Sequence, residues 1–522
     1  MGNVDARGRT LGISLALVAA LVVTLGGGEF GLAGPAEQKP RGGVLRIAEG
    51  ASPGGPFGVP WVMPVFGILP AVPVYETLVW VDAYGRVFPK LAERWEIAPD
   101  RKALTFRLRR GVLFHDGTEL SAEAVKFSLE NFLRVGRLPK YIRSVDVLDR
   151  YVVRVNLEKW DNGVFLSLGG SAALIASPST IQRLGQERAQ WQPVGTGPFR
   201  ITRYDPSAYA HYVRFDRYWD RPKPYLDRIE LRFFPQAEPL TIQAALLAGE
   251  VDMARFADPQ IINQLRATGR FQVITGPPSR GILMLIPDSA LPDSPFADRR
   301  VREALGYALD RVSLARVLGA GLGEPWSQIA PPESPAVLPD YRGPTYNPER
   351  ARELLAQAGY PNGFGTRLIP AFYLQRDVGV ALQGALQAVG IRADLEIPPV
   401  GRYYEYQQKG WRGLLAHIYG YFPNFNTYIQ FYLGPTAREV WASLKRPEGL
   451  EKVLEESTGT LTPQRHKLQQ LHRMLLQDHT VIPVYTSPGA AVVARREVRD
   501  TGHLQGQTWP WWKPAEAWWA RR

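Results

Sequence analysis

The stretch LTFRLRRGVLFHDGTELSAEAVKFSLE, Leu104–Glu130, holds the clearest local code in the chain. Leu104, Phe106 and Leu108 alternate with Thr105, Arg107 and Arg109. That period of two predicts a strand with one buried and one wet face, running on to Phe114. Asp116-Gly117 then supplies a turn, and Ser121 is placed to cap a following helix. Glu123 falls in the first helical turn, where the macrodipole favours negative charge. Ala122, Val125 and Ser128-Leu129 give that helix a small or apolar face. His115 beside Asp116 invites a catalytic reading. Side chains of adjacent residues diverge, however, whereas a catalytic pair needs the carboxylate to meet the ring from across the fold. The stretch is therefore read as a turn. Neither a GxSxG elbow nor an HExxH motif occurs anywhere in the chain.

Other segments follow the same alternation of short strands and helices. Asp298 precedes RRVREALGYAL, whose Val301, Ala304, Leu305, Ala308 and Leu309 form a core-facing stripe. Asn347-Pro348 opens a helix that Gly359 stops, and the run Leu240–Leu247 ends similarly at Gly249. His466, His472 and His479 lack the i, i+4 spacing that would put two rings on one helical face, so no metal site is expected. PVGTGPF, Pro193–Phe199, has neither a P-loop lysine nor GxGxxG register and reads as a tight turn between domains.

With 522 residues, 45% hydrophobic and 11% aromatic, the chain has enough for two or three well-packed domains. It contains no cysteine, which excludes disulfides, a thiol nucleophile and a lipid-modified N-terminal cysteine. Arg7 and Arg9 precede an apolar run, Leu11–Leu25, and small residues follow around Gly31-Leu32-Ala33. This is the pattern of a secretory signal peptide over 1–36, and the run is short for a membrane span. The net charge of +12 is spread among acids along the chain. Export and this scatter argue against nucleic acid as a partner.

Several stretches, in this order, resemble the dipeptide/oligopeptide-binding family of ABC transporter substrate-binding proteins, the extracellular solute-binding proteins of family 5. They are Tyr75–Glu130, Pro193–Arg200, Phe215–Phe233, Gln243–Ala254, Pro295–Arg311 and Tyr346–Gly363. The resemblance implies an α/β, periplasmic binding protein-like fold of two lobes (type II, cluster C) with an extra subdomain in the first lobe. Lobe I would comprise 37–283 plus 483–522, with the subdomain near 84–195, and lobe II would run from 284 to 482. A small solute, peptide or peptide-like, would be held between the lobes by a periplasmic monomer. The monomer would deliver it to an inner-membrane permease and its ATPase, with no cofactor and no catalysis.

The resemblance also implies one departure. Peptide binders of this family carry an aspartate for the ligand's α-amine in a segment matching HIYGYFPNFNTYI, His417–Ile429. Aligned on Pro423, that aspartate becomes Tyr421, and later acids become Asn424 and Asn426. Tyr419, Tyr421, Phe422, Asn424 and Asn426 are thus the expected ligand contacts, with Arg280 ahead of the hinge strand GILMLI. A buried ammonium without a carboxylate partner is unfavourable. A capped peptide, an oligosaccharide or another ring-stacking solute therefore enters as an alternative, beside a sensor, a chaperone or a secreted peptidase. The tryptophans of WPWWKPAEAWW (Trp509, Trp511, Trp512, Trp518 and Trp519) read as lobe core, or else as an aromatic wall of the cleft.

Overall fold

A computed structural model describes residues 39–520 apart from 235–238, 257, 277–280, 421, 435–440, 488–490 and 504–511, and apart from the side chain of Val65. The stretch that opens the sequence reading folds nearly as read. Its strand is Ala103–Leu108, ending six residues short of Phe114. The chain turns at Gly111, at φ +71°, and only an isolated bridge joins Leu113 to Glu119 beyond it. The turn follows at Gly117, whose N–H donates to the Phe114 carbonyl at 2.9 Å. Ser121 caps the helix Ala122–Arg134, its hydroxyl accepting from the Ala124 N–H at 3.4 Å, and Ala122, Val125, Ser128 and Leu129 are buried. His115 and Asp116 diverge. The ring's Nε2 lies 2.9 Å from the Gly197 carbonyl, while Asp116 accepts from Ser177 Oγ at 2.5 Å and Thr180 Oγ1 at 2.8 Å.

Among the described residues, three larger sheets organise the fold. The first has the order Phe271–Ile274, Ala491–Arg495, Met253–Phe256, Val44–Glu49, Arg228–Phe233, Tyr209–Arg214, Phe199–Asp205. Val44–Glu49 runs parallel to both of its neighbours, and the outer pairs are antiparallel. The second has the order Glu324–Pro325, Ile482–Ser487, Gly281–Pro287, Leu414–Tyr419, Phe364–Pro370, Ile391–Leu395. Its strand Gly281–Pro287 is buried throughout. Ile282, Met284 and Ile286 pack in one core cluster and Leu283 and Leu285 in another. A strand buried on both faces reads as a continuous apolar run, which is why GILMLIP shows no alternation. The third sheet, Ala92–Ile97, Ala103–Leu108, Val152–Leu157, Ile142–Asp149, is antiparallel throughout.

The chain passes from the first sheet to the second between Ile274 and Gly281 and returns between Ser487 and Ala491. Both passages are short in sequence, and they join the edge pair of the first sheet to two neighbouring interior strands of the second. The capping signals elsewhere hold. Asp298 accepts from the Arg300 N–H at 2.8 Å and Asn347 from the Arg350 N–H at 2.9 Å. Among the described residues no helix is long and apolar enough to cross a membrane.

Candidate functional site

Glu76 lines the candidate cavity. It is 4% exposed and lies in the apolar run VYETLVW. Four donors from three segments hold its carboxylate: Thr196 Oγ1 at 2.9 Å, Tyr218 OH at 2.7 Å, Trp219 Nε1 at 2.8 Å and Lys90 Nζ at 2.9 Å. A carboxylate removed from water is tolerated only when its lone pairs are met in this way. The segment Pro193–Phe199 brings Thr196 there. A Cβ on Gly195 or Gly197 would fall 2.2 or 2.5 Å from the carbonyls of Val74 or Pro73, so this close backbone approach requires glycine. The expected turn is an extended seam of hydrogen bonds, Gly197 N–H to Val74 O and Phe199 N–H to Pro73 O.

Around Glu76 opens a cavity of about 740 Å³. Its walls are the hairpin from Trp80 to Lys90, the turn Gly169–Ser171, Trp219 to Lys223, the passage residues Ile274–Gly276, and the C-terminal residues Trp512–Glu516. The hairpin is set by Asp82, which accepts from the N–H groups of Tyr84 and Arg86 at 2.8 Å each and from Arg86 Nε at 2.6 Å. Trp80 packs on Phe88 at 5.4 Å, and His503 stacks on Trp512 at 5.3 Å. Burial first, and then the charge of Arg255, pushes the His503 imidazolium down to about 3. The ring is therefore neutral at ordinary pH. Lys223 donates to Asp220 at 3.1 Å and to Glu516 at 3.4 Å. The wall is thus aromatic, with Arg86, Lys90 and Lys223 each paired with a carboxylate.

A second feature joins the third sheet to the elements around the second. Asn162, just beyond strand Val152–Leu157, accepts at Oδ1 from Asn424 Nδ2 at 2.9 Å and Asn426 Nδ2 at 3.3 Å. Its own Nδ2 donates to the Ser457 carbonyl at 2.8 Å, and its N–H to the Thr458 carbonyl at 2.8 Å. Asp161 accepts from Gln430 Nε2 at 2.9 Å. Burial raises the Asp161 carboxyl above its ordinary value, and its hydrogen bonds and Lys159 only partly offset this.

The expected ligand contacts fall mostly on this seam and its core. Asn424 caps the helix Phe425–Tyr428 and meets Asn162, and Asn426 is fully buried, with Oδ1 accepting from Ser457 Oγ at 2.8 Å. Tyr419 ends the strand Leu414–Tyr419, 1% exposed, with its ring between those of His417, Tyr432 and Trp441. Phe422 is half-buried on Phe431 and Tyr432. These four form one neighbourhood, and none of them lines the cavity. Tyr421 and Arg280 lie outside the described residues, as do Trp509 and Trp511. Trp512 joins both the core of the first unit and the cavity wall. Trp518 and Trp519 are strand residues, the Trp519 Nε1–H donating to the Val44 carbonyl at 3.2 Å. The sequence reading passed over Glu76, Trp80, Lys90, Trp219 and Lys513. The available signal was an acid set inside an apolar run, which implies a buried partner.

Two α/β units linked by two neighbouring passages, with a cavity against one passage, define the two-lobed fold of periplasmic binding proteins. The chain belongs to the bacterial extracellular solute-binding proteins, family 5, whose middle region matches residues 86–439. It is similar to the glutathione-binding protein GsiB of Escherichia coli O1:K1, 32% identical over 345 residues. That match spans 64% of this chain and 66% of GsiB, just under two thirds of the relative. In fold it is similar to the periplasmic binding protein DppA of Helicobacter pylori in complex with peptide STSA. The TM-score is 0.78 at 22% identity, over 93% of this chain and 99% of that one. NikA of Brucella suis in complex with Fe(III)-EDTA has a TM-score of 0.80 at 22% identity, over 90% and 99% of the chains.

Proposed function

We propose that the chain is the solute-binding component of an ABC importer, taking up a peptide or peptide-like solute between its lobes and releasing it unchanged to a permease and ATPase. The observation that carries this reading is the cavity at the Ile274–Gly276 passage, whose described lining belongs to lobe I and its subdomain and whose hairpin meets lobe II at Gly85, where an added Cβ would lie 3.4 Å from Pro423 Cβ. Its volume is in the range of small-molecule sites. A ligand that touches both sides of such a passage binds one lobe arrangement better than the other and so shifts the equilibrium between them. On this reading the lobes are close to 37–283 with 483–522 and 284–482, with the subdomain near 84–195. The strands Gly281–Pro287 and Ile482–Ser487 both belong to the second sheet, which supports moving these bounds by a few residues toward the passages. Tyr421 and Arg280 keep their place as proposed ligand contacts. Tyr419, Phe422, Asn424 and Asn426 support the ligand side from the seam and its core.

GsiB is named for glutathione and the DppA structure holds a short peptide, which favours short peptides as first candidates. Catalysis has no place in this reading, because Asp116 is held by Ser177 and Thr180 and does not orient the His115 ring, whose Nε2 meets the Gly197 carbonyl. The protein acts as a periplasmic monomer. Native mass spectrometry with glutathione and a pool of di- and tripeptides tests this. One intact ligand per chain is expected. Cleaved products, or no binding of any member, would refute it. A non-peptide solute is the second reading, favoured by the missing acid at Tyr421 and by the chelate held on the same fold in NikA.

A further inference from the structure

The cavity's three lysines are not equivalent. Lys90 donates to Glu76 and to Tyr218 OH, and Lys223 donates to Asp220 and Glu516. Lys513 is held differently. Its side chain is 25% exposed, and its ammonium sits 3.7 Å above the Trp80 ring. The nearest carboxylate oxygen, on Glu516, is 3.9 Å away, beyond hydrogen-bond reach, and the same oxygen accepts from Lys223. Among the described residues no acceptor lies within hydrogen-bond distance of this ammonium. The stem is fixed as well. A Cβ on Gly502 would fall 2.6 Å from Lys513 Cβ, and the Lys513 N–H donates to the Thr501 carbonyl at 3.0 Å. Burial lowers the Lys513 ammonium below its ordinary value; the charge of Glu516 opposes this, those of Lys90 and Lys223 add to it, and that of Asp82 opposes it again.

An ammonium carries three donors, and in water each finds a partner. Here an aromatic face replaces part of that shell, which compensates incompletely. From this geometry we infer that Lys513 is a specificity-determining residue, whose free donors receive a carboxylate of the ligand while Trp80 holds the stem. This deepens the reading of the cavity as the ligand site and rests on it. A ligand carboxylate would supply the acceptor Lys513 lacks and relieve the repulsion among the three cations. Its stem is already immobilised, so little rotamer freedom remains to be lost on binding. Glu76 and Asp82 do not supply the acceptor Lys513 lacks, since both accept from other donors of the chain. The ligand class is therefore a solute bearing at least one carboxylate, with apolar or aromatic surface beside it for Trp80 and Trp219.

The test measures, by calorimetry on the full chain, trialanine against trialanine amide, and a third peptide amide with a glutamate side chain. The first and third probes separate a terminal from a side-chain carboxylate. Wild type is expected to favour at least one acid-bearing probe over the plain amide by roughly tenfold to a hundredfold, the range of a charge-assisted hydrogen bond. In Lys513→Met that ratio falls toward one, and in Lys513→Arg it is largely kept. A ratio unchanged in Lys513→Met, with the fold intact by circular dichroism, overturns the assignment. If no peptide binds wild type, the peptide reading fails separately, and glutarate then serves as the probe. A rise in Tm with glutarate in wild type but not in Lys513→Met supports the carboxylate site, and equal rises in both overturn it.

Discussion

The cavity wall and the Asn162 seam use opposite chemistry for related tasks. The wall is built of charged pairs and rings: Lys90–Glu76, Arg86–Asp82 and Lys223–Asp220, with Lys513 on Trp80. The seam is built mainly of amides, hydroxyls and carbonyls: Asn162, Asn424, Asn426, Ser457 and Thr458. Charges have long reach and act strongly on a guest that carries charge. Amide pairs have short reach and act only when geometry is met. On the proposed function, a surface for capture and a surface joining two parts of the chain are therefore made differently.

The largest effect is expected at the wall. Glu76→Gln leaves Lys90 without its buried counter-charge and should reduce stability by about 3 kcal/mol, read by denaturant unfolding. A loss below about 1 kcal/mol would mean that solvent reaches the pair freely. At the seam, Asn162→Ala strands the amides of Asn424 and Asn426 and should remove about 2 kcal/mol. Its signature is faster hydrogen exchange at 424–430 and 455–460 with little change at 75–90. Equal change in both regions would merge what is distinguished here.

Acid should then drive the two regions in opposite directions. Folding raises the Asp161 carboxyl, so its contribution to the seam is present below about 4, its unfolded value, and is lost as pH rises through the raised folded value. Folding lowers His503 to about 3, so its contribution to the cavity floor is present above about 6.5 and is lost as pH falls toward the folded value. From pH 7 to 4, exchange protection relative to the intrinsic rate should rise at 159–163 and fall at 501–503. Asp161→Asn should abolish the first trend alone. The smallest effect is at Lys159–Glu455, 2.6 Å apart with both side chains well exposed. Lys159→Met should leave Tm unchanged, since such pairs contribute little in water.

Much of the fold was legible because its signals are local. Ser121, Asp298 and Asn347 cap helices with their own side chains, and the stripe from Val301 to Ala308 is buried. The strand ending at Leu108 was misjudged because Gly111 turns the chain in a conformation that alternation cannot register. The site was less legible for a physical reason. Glu76 is defined by donors at Lys90, Thr196, Tyr218 and Trp219, which sequence keeps up to 143 positions apart. The asparagines 424 and 426 were singled out as expected ligand contacts, and the structure places both on the seam. Their partner Asn162 is 262 positions away from Asn424 and carries no mark of its own. Lys513 sat in plain view within WPWWKPAEAWW, where the tryptophans drew the reading toward core packing.

The largely uncharged character of the Asn162 seam has a consequence for the medium in which the protein works. Dissolved ions screen interactions between charges over about 10 Å at 0.1 M, and they act far less on neutral dipoles in contact. Rising ionic strength should weaken recognition of a charged guest on the lysine-lined wall and leave the register between the units nearly untouched. Salt alone would then vary affinity while holding domain geometry constant.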